Sequence, residues 1–223
     1  MDKETIIKET EEYIKKRFKG ESTGHGWWHI QRVLKMSLKI AEKEKVNSSE
    51  EINLFVVQLA ALLHDIADWK FNSGDDSSRP IIVKELLEKL EVDEETITQV
   101  YEIIKNIFFK GGTLQPEMKT LEGKIVLDAD RLDALGAIGI ARTFAYGGFR
   151  DREIYNPNMK PIKCKSFEEY KNYKGTSINH FYEKMLLLKD RMNTETGKKI
   201  AEKRHKFIEN FLEEFFGEWE GTS

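Results

Sequence analysis

Three short stretches place side chains capable of acid–base or metal chemistry inside apolar surroundings. In LAALLHDIADW, residues 59–69, His64, Asp65 and Asp68 interrupt a run of leucines and alanines. Leu59, Leu62, Leu63 and Ile66 recur at i, i+3, i+4 and i+7, the spacing of a helix facing a core. On a helical wheel the three ionisable residues fall within roughly a 100° arc of the other face. Leu54, Val57 and Ala61 share that face, so the helix is apolar on nearly all sides and predicts burial. A buried carboxylate without a partner is very costly, which calls for a cationic side chain or a metal ion. The segment itself supplies only Lys70, at its end.

Two further stretches repeat the pattern. WWHIQRVLKMSLKIA sets His29 on one stripe with Val33, Met36 and Ile40. KIVLDADRLDALGAIGIA sets Asp130 on one stripe with Val126, Leu127, Ala134 and Ala137. Taken singly, such a histidine is more often a satisfied core residue, and such an aspartate a cap or ion-pair partner. Taken together, one explanation must cover His29, His64, Asp65 and Asp130. Mixed imidazole and carboxylate donors suit a first-row divalent ion, usually with positions left for water.

The elements that must position these groups read as helices throughout. Amphipathic patterns predict helices at about 2–18, 27–45, 50–69, 80–90, 93–109, 119–145, 176–192 and 194–216. Ser48, Ser49, Glu50 and Glu51 resemble the start of the third, and Val92 to Glu95 a cap and first turn of the fifth. Gly136 and Gly139 suggest close packing in the 119–145 helix. Residues 71–80 are a loop by composition. Residues 146–175 are long, aromatic, basic and poorly periodic, the kind of segment that is usually functional or partly ordered. No repeat or linker divides the chain, so one all-α domain over 1–223 is the expectation.

Composition narrows the function. The 223 residues carry 36 basic and 39 acidic side chains, a net charge of −3. That balance weighs against a nucleic-acid binder working through charge. The single cysteine, Cys164, cannot form an internal disulfide and fits a reducing, cytoplasmic location. The N-terminal residues show no apolar leader, and no run of about 18 apolar residues predicts a membrane span.

These residues resemble the HD-domain superfamily of metal-dependent phosphohydrolases, whose pattern H…HD…D is met here by His29, His64-Asp65 and Asp130. The likeness extends to the bacterial HD nucleotide pyrophosphohydrolases through GHGWWHIQRV, QLAALLHDIADWKF, LEGKIVLDADRLDALGAIGIARTFAYGG and INHFYEKMLLLKDRMNTETGKKIAEKRH, from about residue 20 to 217. The resemblance implies an all-α bundle with one divalent ion, Mn²⁺ before Fe²⁺, Co²⁺, Ni²⁺, Mg²⁺ or Zn²⁺, held by His29, His64, Asp65 and Asp130. It also implies an acid/base role for Asp68. The implied activity is hydrolysis of (deoxy)nucleoside triphosphates to monophosphate and pyrophosphate. A phosphomonoesterase on nucleoside monophosphates and a non-catalytic nucleotide-binding HD module are the alternatives.

Substrate contacts follow from charge and place. His25, between Gly24 and Gly26, either reaches substrate or caps its turn. Lys110, Arg131, Arg142 and His180 are candidates for phosphate or the pocket wall. Arg142 leads among the cations, because its neighbours Ile140, Ala141 and Phe144 are apolar and its charge needs a partner. His205, among charges, is expected to be exposed. Aromatic and basic residues of 146–175 could stack on a base and meet phosphates; a mobile loop or a homodimer contact is the other reading.

Overall fold

The computed structural model describes residues 1–21, 24–47, 51–66, 79–107, 118–162 and 175–222. The described residues form an all-α fold with no strand. None of their helices is long and apolar enough to cross a membrane. They fall into two compact units, the first ending at Ala129 and the second running from Asp130 to the C-terminus.

The first unit is organised around a short, almost wholly buried helix. Helix α1 (Lys3–Arg17) starts at Asp2, whose side chain accepts the Thr5 amide. Helix α2 (Trp27–Asn47) buries Ile30, Val33, Ile40 and Ala41 along one face. Helix α3 (Leu54–Leu63) buries Val57, Leu59, Ala60, Ala61, Leu62 and Leu63 completely, and it packs on α1, α2 and α5. Each buried leucine contributes about 1.5–3 kcal/mol of hydrophobic stabilisation. Helices α4 (Arg79–Lys89) and α5 (Glu94–Ile107) pack on each other, and Asp93 caps α5 through the Thr96 amide at 2.9 Å.

The third helix is shorter than its sequence pattern suggests. Asn53 is its N-cap and accepts the amides of Phe55 and Val56; Ser48, Ser49 and Glu50 lie outside the described residues. Its end is Leu63, and His64, Asp65 and Ile66 form a turn in which the Ile66 amide bonds the Leu63 carbonyl. The HD dipeptide therefore stands at the helix exit rather than inside the helix.

Helix α6 (Leu121–Asp133) runs through Ala129, and its final residues, from Asp130, belong to the second unit. The expected single helix over 119–145 is broken after Asp133. The amides of Ala134 and Leu135 turn back to Arg131 and Leu132, Leu135 is extended, and Gly136 takes φ +71°. L-residues rarely adopt that conformation, so the helix ends there. Helix α7 (Gly136–Phe149) then begins. Close packing does occur at Gly139, where a Cβ would lie 2.3 Å from the Ala134 carbonyl oxygen.

In the second unit α7 packs on α8 (Ser177–Glu183) and on the long α9 (Glu195–Glu220). Phe144, Phe181 and Phe211, one from each, meet with ring centroids 5.6–6.0 Å apart. Two 3₁₀ turns, Met185–Leu187 and Lys189–Arg191, replace the second half of the helix expected at 176–192. Gly221, at φ 68°, closes α9.

Candidate metal centre

The buried face of α2 begins with His29, which is 1% exposed; its amide bonds the Gly26 carbonyl in the first turn. His64 follows α3 directly and is fully buried. Its Nδ1 lies 2.8 Å from the Ala61 carbonyl oxygen. A carbonyl oxygen can only accept, so Nδ1 carries the proton and donates. Nε2 is then the candidate ligand atom, and it points at His29 Nε2, 3.1 Å away. A backbone carbonyl that fixes the tautomer in this way is the usual support of a metal-ligating histidine.

Asp65 completes a cluster within the first unit. Its Oδ2 is 3.4 Å from His29 Nε2, 3.7 Å from His64 Nε2 and 3.6 Å from His25 Nδ1. Oδ2 is buried and makes no hydrogen bond with the described residues. Burial by itself would push the Asp65 carboxyl up. The His64, His25 and His29 imidazoles outweigh that and hold it well below the ordinary carboxylate range. The carboxylate is therefore an ionised donor in place.

These spacings test whether a metal ion fits. Bonds of about 2.1 Å from one ion put adjacent donors about 3–3.5 Å apart. The 3.1–3.7 Å separations match that range, and the carboxylate–imidazole ones are too long for hydrogen bonds. Imidazole nitrogens and an ionised carboxylate around a hydrogen-bond-poor buried oxygen are a donor set that can hold a divalent ion.

The other expected residues are distributed as follows. Asp130 is half-buried on α6, directly after the buried run Ile125 to Ala129. Its supposed stripe partners Ala134 and Ala137 lie beyond the helix end, and Ala137 is exposed. Arg142 does have the partner its apolar setting demanded: Asp133, whose Oδ2 its Nη1 meets at 2.8 Å, both side chains largely buried. Arg131 donates to the carbonyl of Arg191. Arg204, unremarked in the sequence, donates to the Leu132 carbonyl; burial lowers its pKa and nearby Asp133 opposes that. His180 is half-buried on α8. His205 is not exposed as expected: its side chain is 15% accessible and meets Glu209 at 3.4 Å. Asp68, Lys110 and the stretch 163–174 lie outside the described residues.

Two features escaped sequence reasoning. His25 reaches Asp65, 40 positions along the chain, and only its i, i+4 spacing to His29 hinted at this. Arg17, at the end of α1, donates from Nε to the Ile66 carbonyl at 2.8 Å, and no local pattern marks it.

An H…HD cluster held by the helices of the first unit defines the class. Residues 27–135 match the HD domain family, a span that contains His29, His64, Asp65 and Asp130. The chain belongs to the HD-domain superfamily. It is 38% identical over 196 residues to the uncharacterised protein YpgQ of Bacillus subtilis, covering 86% of this chain and 83% of YpgQ. An HD-superfamily hydrolase of Bacillus thuringiensis has a crystal structure 41% identical in sequence, with TM-score 0.75, over 98% of this chain and 99% of that one. The crystal structure of YpgQ in complex with ADP matches with TM-score 0.73 at 31% identity, over 97% of this chain and all of that one.

Proposed function

We propose that this protein is a divalent-metal-dependent phosphohydrolase that cleaves (deoxy)nucleoside triphosphates to monophosphate and pyrophosphate. The observation that carries the reading is Asp65 Oδ2, buried without a hydrogen bond and ringed by imidazole nitrogens at 3.4–3.7 Å. His29, His64 and Asp65 hold the ion, Mn²⁺ by preference, and Asp130 on α6 completes the set. On this reading residues 1–223 act as one HD domain. The ADP bound to YpgQ supports a nucleotide as the substrate class.

When bound, such an ion supplies charge neutralisation for phosphoryl oxygens and activation of water. The chain's own residues do the rest. The Ala61 carbonyl holds a proton on His64 Nδ1 and so assigns Nε2 as its ligand atom. Asp65, already ionised, adds negative charge without releasing a proton. Asp68, three residues after Asp65, is assigned the proton transfer between water and the leaving oxygen. Lys110, Arg131, Arg142 and His180 are assigned to the phosphate chain.

The test is product analysis of metal-free protein supplied with Mn²⁺ and a panel of nucleoside mono- and triphosphates. Pyrophosphate and monophosphate in equal amounts support the proposal. Inorganic phosphate from monophosphates alone would replace it with a phosphomonoesterase.

A further inference from the structure

A fourth imidazole-or-carboxylate donor stands at the cluster outside both the H…HD…D pattern and the matched span 27–135. His25, His29 and Asp65 each offer a ligand atom, and these atoms lie within 4.8 Å of one another. His25 Nδ1 is 3.6 Å from Asp65 Oδ2, beyond hydrogen-bond length, and its ring meets the His29 ring edge-on with centroids 5.7 Å apart. Donors on one ion are separated by about 3 Å when adjacent and about 4.2 Å when opposite, given bonds of about 2.1 Å. His25 falls within that range.

The loop is built to bring this ring inward. The His25 amide donates to Glu21 Oε2 at 3.1 Å, and the Glu21 amide bonds the Phe18 carbonyl. Gly24 takes φ +93°, a conformation that favours glycine. A Cβ on Gly26 would lie 2.9 Å from Glu21 Oε2 and 3.0 Å from the Glu21 carbonyl oxygen, so only glycine lets the turn close this tightly. The His25 side chain is 20% accessible, and it sits against a buried carboxylate oxygen rather than in solvent.

We infer that His25 is an additional ligand of the metal centre, binding through Nδ1 beside His29, His64 and Asp65. This rests on the metal-centre reading above. Three imidazoles move the donor set away from the oxygen-rich surroundings that Mg²⁺ requires and toward Mn²⁺ and the later first-row ions. His25 also occupies a position that the four-residue pattern would leave to water or substrate.

Pulsed EPR of Mn²⁺ bound to the full-length protein counts imidazole nitrogens directly. The wild type is expected to show three nitrogen couplings and His25→Ala two. Its Mn²⁺ affinity should fall at least about tenfold, the scale of lost support at such sites. Thermal unfolding of the metal-free His25→Ala protein shows that it is folded, and His25→Gln provides a second folded variant. Two couplings in both wild type and His25→Ala, with unchanged affinity, would overturn the inference while leaving the centre intact. Failure of the wild type to bind Mn²⁺ would instead bring down the metal-centre reading itself, and His25 with it.

Discussion

Arg17 Nε donates to the carbonyl oxygen of Ile66 at 2.8 Å, which ties the end of α1 to the turn that carries His64 and Asp65. That turn lies beyond Leu63, the last residue of α3, and a side chain 49 residues away bonds it. Arg17→Ala is expected to cost about 1 kcal/mol of stability, the net worth of one such bond at a partly exposed site. Mn²⁺ binding should weaken in the same variant, read by calorimetric titration. Unaltered affinity would show that the turn holds its shape unaided.

The ion pair of Asp133 and Arg142 predicts an asymmetry. Asp133 has two cations near it, Arg142 at 2.8 Å and Arg204. Arg142→Ala leaves Arg204 to compensate the carboxylate. Asp133→Ala takes that carboxylate away from the largely buried Arg142 and the half-buried Arg204. Removing one partner of a buried pair costs about 3 kcal/mol or more. The loss in urea-unfolding stability should reach that size for Asp133→Ala and fall clearly short of it for Arg142→Ala.

Gly136 sets the break between α6 and α7. Its φ of +71° strains any Cβ, and a Cβ there would meet Arg204 Cγ at 3.1 Å. Gly136→Ala should destabilise by about 1–2 kcal/mol from the backbone conformation alone. The midpoint of thermal unfolding checks this, and an unchanged midpoint would contradict the described turn.

Asp65 sets a pH dependence in the metal-free protein. Its folded-state pKa lies well below its ordinary 3.8, because three imidazoles outweigh burial. As pH falls, the unfolded chain therefore takes up this proton before the folded one. The stability owed to ionised Asp65 is fully present above 3.8 and drains away as pH falls below it. The stability difference between metal-free wild type and Asp65→Asn should stay level from about pH 6 to about pH 4.5 and shrink below about pH 3.8. A difference already shrinking above pH 4.5 would contradict the assignment.

Much of the centre could be read from residue order, because burial leaves a periodic trace. Leucines spaced for a core helix surround His64, and a valine and isoleucine stripe marks His29; both prove buried. What the pattern hid has physical causes. Gly136 fits a helical apolar stripe as a small residue, yet α6 has ended at Asp133, and the extended Leu135 and the positive φ of Gly136 complete the break. Asn53 caps α3 through two backbone amides, and no local pattern set it apart. Asp130 lies on a helical face as expected, but the break after Asp133 removes Ala134 and Ala137 from its stripe. His25 and Arg17 act across 40 and 49 positions, through loop and helix-end geometry that local periodicity does not encode.

The most direct test of the central claim is pyrophosphate release from a deoxynucleoside triphosphate by metal-free protein titrated with Mn²⁺, run beside His64→Ala and Asp65→Ala. Release that rises with Mn²⁺ in the wild type and falls by at least about a hundredfold in both variants is the expected result; a ligand's loss should exceed the roughly 10–100-fold effects of its supporting residues. Equal release by wild type and variants, or release independent of added metal, would contradict it.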